Sequence, residues 1–183
     1  MINAAFFVDG HLEKKFIQKT CPNKVVRILN CNGSKVSAAA IAKRISSQCR
    51  LLKGRNFPII IFVDLEDRDE TATQFHDDIV AAIRAEGVSD TFILGVADRM
   101  IENWILADKS IVAGHTTKRP VYTGCPDGFN GKSCIKQLIP GYHETTIGVD
   151  LLEKCRASKM ITSPSFKAFF DKLSSYQCWW LNR

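Results

Sequence analysis

An unbroken apolar run ends abruptly in acidic residues within the segment PIIIFVDLEDRDE, residues 58–70. Residues 58–63 carry no polar side chain and are rich in β-branched residues, which is typical of a strand buried on both faces of a parallel sheet. The acidic side chains that follow are Asp64, Glu66, Asp67, Asp69 and Glu70. Because open α/β sheets bind ligands beyond the carboxyl ends of their strands, we expect these acids to lie at a binding edge.

Strand patterns and helix patterns alternate along the first part of the chain. The predicted strands cover residues 4–9, 25–30, 58–64 and 91–96, and the predicted helices cover residues 11–19, 35–52, 73–86 and 99–108. This alternation predicts an α/β fold with a mostly parallel, four-stranded, Rossmann-like sheet flanked by helices. Ser34 is the expected N-cap of the second helix.

The pattern weakens beyond residue 110. Residues 113–131 are rich in Gly, Pro and Thr and predict an irregular segment, with short helices following at 132–138, 148–156 and 164–173. We therefore predict an α/β core over residues 1–110 and an irregular, partly helical extension over residues 111–183 that packs on it. The apolar end, residues 177–181, is expected to pack on the domain or on a partner.

The composition narrows the class of protein. The chain has 183 residues, of which 45% are hydrophobic and 24% are charged, as in ordinary globular proteins. Its apolar runs are far shorter than the roughly 20 residues of a membrane span, and the first ten residues lack the basic region of a signal peptide. The seven cysteines form no C-x-x-C pair. These features predict a reduced, cytoplasmic protein without a membrane partner.

Charge is strongly segregated along the chain. The net charge is +9 over residues 1–57, −9 over residues 58–108 and +6 over residues 109–183. An acidic centre between basic flanks suits an enzyme that holds a cation while it binds a polyanion such as nucleic acid. The alternative is that solvated helix faces simply differ in sign.

Three carboxylates are predicted to meet at one edge of the sheet. Asp9 ends the first strand, and Asp64 and Glu66 end the third. On an extended backbone, the D-x-E spacing places two side chains on the same side, where their oxygens can share a hard cation such as Mg²⁺. Alternatively, these are polar strand ends, with Asp67 and Asp69 serving as N-caps of the next helix.

Three ordered motifs resemble the Toprim domain of topoisomerases, primases and overcoming-lysogenization-defect nucleases. They are VDGHLE at 8–13, FVDLEDRD at 62–69 and IENWILAD at 101–108. A later SPSF at 163–166 resembles a motif of one small group of Toprim-like proteins. The likeness is greatest to small single-domain Toprim-like proteins found beside ATPases in bacterial defence loci, and it covers most of residues 4–173.

The resemblance implies a role for each matching acid. Asp9 takes the place of a family glutamate in acid/base work or metal binding, and Glu13 matches the second glutamate of that motif. Asp64 and Glu66 match the D-x-D pair, and Glu102 matches a later acid of the metal site. Glu66 and Asp9 differ from the family pattern by one methylene each, in opposite directions.

These implied roles lead to one functional hypothesis and one alternative. The hypothesis is a Mg²⁺- or Mn²⁺-dependent nuclease that cleaves DNA or RNA as the effector subunit of a bacterial anti-phage defence system. Asp9, Asp64, Glu66 and Glu102 would hold metal, while Asp9, Glu13 and Lys132 would be catalytic, with Lys132 stabilising phosphate charge beside a helix start. The alternative is a catalytically weakened Toprim-fold subunit that binds a partner ATPase or nucleic acid.

Overall fold

The computed structural model describes residues 3–31, 33–116, 124–173 and 176. Four strands form one sheet in the order β2-β1-β3-β4, and all their pairings are parallel; the strands are Ala5–Val8 (β1), Val25–Ile28 (β2), Ile59–Asp64 (β3) and Phe92–Ala97 (β4). The predicted α/β fold is therefore confirmed. In the register, Phe7 lies opposite both Arg27 and Ile61, so β1 and β3 end at the same edge of the sheet.

Helices connect and cover the strands. The α-helices in the described ranges are His11–Thr20 (α1), Ala38–Leu52 (α2), Ala72–Ala85 (α3), Glu102–Ala107 (α4), Lys109–Ala113 (α5), Gly131–Leu138 (α6), Val149–Lys154 (α7), Ala157–Met160 (α8) and Pro164–Leu173 (α9). A π-helical turn, Glu144–Gly148, precedes α7. The short helix predicted over residues 148–156 is present as α7, which ends at Lys154, two residues earlier than predicted, and the π turn before it was not predicted.

The predicted N-cap of α2 was also wrong. The helix begins at Ala38, and the side chain of Ser37 accepts the N–H of Ala40 at 3.2 Å. Ser34 lies in a preceding turn instead, where its carbonyl accepts a hydrogen bond from the Arg68 guanidinium at 2.7 Å. A long-range contact therefore decides which serine caps the helix.

The sheet separates two apolar cores because successive side chains of a strand point to opposite faces. Phe7 and Ile61 belong to the core under α2 and α3, whereas Phe62 faces the other core. There Phe62 contacts the Trp104 and Phe169 rings edge-on, at centroid distances of 6.2 and 5.1 Å. Burial of this many apolar side chains is the main source of stability.

The C-terminal helices are part of this second core. Helix α9 packs on β4, α6 packs on α4, and α7 packs on α1. Gly95 permits the first of these contacts, since a Cβ there would lie 2.7 Å from the Phe169 ring. Helices α6, α7 and α9 thus pack against the sheet and the earlier helices, while the division into a core and an extension at residue 110 stays a prediction.

Two further predictions concern the membrane and the chain end. In the described ranges, no helix combines the length and the apolar character that crossing a bilayer requires. The predicted packing of residues 177–181 lies outside the described residues.

Candidate active site

A single cavity of about 190 Å³ contains every side chain predicted for the site. It opens at the carboxyl end of the sheet, between the ends of β1 and β3 and the starts of α1, α4 and α6. Its charged lining residues are Asp9, Glu13, Asp64, Glu66, Glu102, Lys132 and Glu144. The structure therefore brings together acids that lie up to 135 positions apart (Asp9 to Glu144) in the sequence.

Two acids enter the cavity from the β1–α1 connection. Asp9 directly follows β1 and is only 3% exposed, and its Oδ1 accepts the N–H of Cys31 at 2.8 Å. Glu13 lies in the first turn of α1, where its Oε2 accepts the N–H of Gly10 at 3.1 Å. This contact holds the Glu13 carboxylate next to the residue that follows Asp9. Burial, together with the charge of Asp9, raises the pKa of Glu13.

Asp64 and Glu66 enter the cavity from the end of β3. Asp64 is the last residue of the strand, and its Oδ1 accepts the N–H of Ile101 at 3.0 Å. Glu66 does not continue an extended backbone, because its φ is 59°, in the left-handed region. The expected D-x-E geometry on an extended strand was therefore wrong, although both side chains line the cavity.

The left-handed turn at Glu66 is paired with another at Arg99, whose φ is 64°. The Glu66 N–H donates to the Arg99 carbonyl at 2.7 Å, and the Arg99 guanidinium donates to the Glu66 carbonyl at 3.1 Å. Left-handed conformations cost energy for residues other than glycine and are concentrated at functional sites. These reciprocal hydrogen bonds hold the backbone that carries Glu66 into the cavity.

Glu102 and Lys132 are the remaining predicted site residues, and they line the cavity from the starts of α4 and α6. Glu102 opens α4 and is 3% exposed, and the Tyr142 hydroxyl donates to its Oε1 at 3.2 Å. Lys132 lies in the first turn of α6, and its ammonium group forms an ion pair with Glu144 of the π turn. Any phosphate contact by Lys132 must therefore compete with Glu144.

Burial and mutual repulsion raise the pKa values of the acids in the cavity. Burial, opposed by the hydrogen bond from Cys31, raises the pKa of Asp9 to about 6. The pKa of Glu13 rises to about 7 through burial and the charges of Asp9 and Glu102. Burial also raises the pKa of Asp64 well above its ordinary value, with added repulsion from Glu13 and Glu102. Perturbed carboxylates in a cleft are candidates for function.

Helix capping does not account for the acidic strand end. The N-cap of α3 is Thr71, whose side chain accepts the N–H of Gln74 at 3.2 Å, and Gln74 returns a hydrogen bond to complete a capping box. Asp67 and Asp69 do not cap the helix. The alternative reading of this segment is therefore wrong for these two residues.

The lining residues fit a hard divalent cation in their chemistry. Carboxylate oxygens are the ligands that Mg²⁺ and Mn²⁺ prefer. A cation would compensate the burial and the mutual repulsion that raise the pKa values of Asp64 and Glu13. Within residues 3–31, 33–116 and 124–173, no three His, Cys, Asp or Glu side chains are already placed to hold one ion. The acids would therefore have to close on the cation.

The sequence reasoning missed two residues that contact the predicted site. Glu144 lines the cavity, and Tyr142 hydrogen-bonds to the lining residue Glu102. Neither belongs to a recognisable motif, and no local pattern places residues 142–144 beside α4. The SPSF motif, in contrast, lies outside the cavity. Its serines bind Asp127, which accepts from the Ser163 hydroxyl at 2.7 Å and from the Ser165 N–H at 2.9 Å. This motif organises the start of α9.

The family model described as Domain of unknown function (DUF4276) matches residues 5–174, so the chain belongs to this family. No match to the chain was found among curated proteins, nor among solved structures.

Proposed function

We propose that this member of the DUF4276 family is a Mg²⁺- or Mn²⁺-dependent nuclease that hydrolyses phosphodiester bonds in DNA or RNA. The main support is that acids from separate Toprim-like motifs, Asp9, Asp64 and Glu102, line one cavity with Lys132. A similar fold does not by itself imply nuclease activity. The proposal depends on which residues line the cavity and on their charges.

The proposed role of each charged lining residue follows from its position in the cavity. Asp9, Asp64, Glu66 and Glu102 would hold the metal through their oxygens. When bound, a divalent ion supplies charge stabilisation and water activation for phosphodiester hydrolysis. Glu13, with a pKa of about 7, can accept or release a proton near neutral pH, as acid/base work requires. Lys132, once released from Glu144, would place a positive charge beside the phosphate.

The test is cleavage of labelled single- and double-stranded DNA and RNA by the purified chain with Mg²⁺ or Mn²⁺. Asp64→Ala is expected to abolish cleavage, with a loss of at least about 100-fold, while circular dichroism shows an intact fold. Asp69→Ala is the matched control, because Asp69 is an exposed acid of the same segment that does not line the cavity. Full activity of Asp64→Ala would overturn the assignment.

The second candidate is a Toprim-fold interaction subunit that binds a partner ATPase or nucleic acid without efficient catalysis. The Lys132–Glu144 ion pair favours it, because among the described residues Lys132 is the lysine that lines the cavity, and the pair occupies its charge. Calorimetry with Mn²⁺ separates the two proposals, since a chain that binds no metal fits only the subunit. Metal binding with cleavage that begins only after an ATPase from the same locus is added would indicate a partner-dependent effector in anti-phage defence.

A further inference from the structure

The side chain of Tyr142 hydrogen-bonds to Glu102, which lines the cavity. The Tyr142 side chain is buried, with 6% of the residue exposed, and its Oη lies 3.2 Å from Oε1 of Glu102. A tyrosine hydroxyl is protonated at neutral pH, so Tyr142 donates and the carboxylate accepts. The contact engages one carboxylate oxygen and thereby limits rotation of the Glu102 side chain.

Gly148 leaves space for the Tyr142 hydroxyl because glycine has no side chain. A Cβ on Gly148 would lie 2.6 Å from the Tyr142 Oη and 3.0 Å from Cδ1 of Leu12. The φ of Gly148 is −59°, which any residue can adopt. The backbone conformation therefore does not require glycine here, whereas the position of the Tyr142 hydroxyl does.

The π-helical turn connects Tyr142 to Gly148 along the chain. It starts at Glu144, two residues after Tyr142, and ends at Gly148. Single π turns occur frequently at functional sites. Here the turn brings Gly148 against the Tyr142 hydroxyl and Glu144 against Lys132. One short segment therefore contacts the predicted site residue Lys132 and the tyrosine that hydrogen-bonds to Glu102.

We propose that Tyr142 is a positioning residue, whose hydroxyl holds the Glu102 carboxylate in the orientation needed to bind a divalent cation. This inference rests on the proposed function. Residues that hydrogen-bond metal ligands orient them and raise the affinity for the metal, and their loss typically weakens binding about 10- to 100-fold. Gly148 supports the same role by leaving room for the hydroxyl.

The test is Mn²⁺ binding to the full chain, measured by calorimetry in a double-mutant cycle. Tyr142→Phe is expected to weaken Mn²⁺ binding about 10- to 100-fold. In a Glu102→Ala background the same substitution is expected to have no further effect, because Tyr142 acts through Glu102. An equal loss in both backgrounds would mean a general structural role and would overturn the proposal.

Gly148→Ala provides a second variant, with Gly95→Ala as its matched control. The new methyl at 148 is expected to displace the Tyr142 hydroxyl and to weaken Mn²⁺ binding in the same direction. Gly95→Ala collides with Phe169 in the core and is expected to lower stability while leaving Mn²⁺ affinity unchanged. Equal weakening by both glycine variants would show that the loss follows destabilisation alone.

The two proposals fail in distinguishable ways. If the unsubstituted chain binds no Mn²⁺, the metal-dependent function fails and this inference fails with it. If the unsubstituted chain binds Mn²⁺ and Tyr142→Phe binds it equally well, only the positioning role of Tyr142 is overturned.

Discussion

Buried carboxylates occur in two different settings in this molecule. Asp108 is fully buried, and its oxygens accept hydrogen bonds from the N–H groups of Ser110 at 3.2 Å and Arg156 at 3.0 Å. The cavity acids, such as Glu13 and Asp64, face other acids, and burial and repulsion raise their pKa values. Buried acids surrounded by donors stabilise a fold, whereas buried acids that face one another need a cation or protons.

The largest expected contrast is between Asp108→Asn and Asp64→Asn. Asp108→Asn is expected to lower the free energy of unfolding by about 2–4 kcal/mol, because the amide leaves a buried N–H without its acceptor. Asp64→Asn is expected to raise it in the metal-free protein, since it removes a buried carboxylate that neighbouring acids repel. Urea unfolding at pH 7.5 with a chelator measures both. Destabilisation of similar size by both variants would contradict the contrast.

Divalent cations are expected to stabilise the folded chain by binding in the cavity. Asp108 is not expected to take part in this binding. At a Mn²⁺ concentration 100 times the dissociation constant, the free energy of unfolding should rise by about 2.7 kcal/mol. Thermal unfolding with and without Mn²⁺ measures the increase. Asp64→Asn should show little of it, and a full increase in this variant would place the bound ion elsewhere.

The raised pKa of Glu13 predicts how stability depends on pH. Its folded-state pKa is about 7, above the ordinary 4.5, so protonation favours the folded chain. This stabilisation is fully present below about pH 4.5 and is lost as the pH rises through about 7. With a chelator present, the loss between pH 4.5 and 8 should be on the order of 2–3 kcal/mol larger in the unsubstituted chain than in Glu13→Gln. Identical pH profiles would show that Glu13 does not carry the effect.

The smallest expected change in stability concerns Glu144. Its side chain and that of Lys132 are about 40% exposed, and ion pairs of this kind contribute about 0–1 kcal/mol. Glu144→Gln should therefore change stability by less than about 1 kcal/mol but should tighten binding of a labelled oligonucleotide a few-fold, because Lys132 is released. Fluorescence anisotropy measures this, with Glu153→Gln as control, since Glu153 pairs with Lys19 away from the cavity.

The strands and the principal acids could be predicted because local patterns specify them. Apolar runs marked each strand. Asp9 and Asp64 could be predicted as site residues because they lie where strands end. Two predictions failed where a distant group decides the local structure. Arg68 holds the carbonyls of residues 33, 34 and 36, so Ser37 rather than Ser34 caps α2, and Arg99 holds the left-handed turn at Glu66.

The sequence by itself determined the parallel α/β sheet and the acids at its carboxyl edge, because side-chain periodicity and strand ends are local properties. Only the tertiary structure decided that Tyr142 meets Glu102 and that Glu144 meets Lys132. These contacts depend on how α6 and the π turn pack against α1 and α4. That packing is set by burial of apolar surface over the whole core, and no short stretch of residues encodes it.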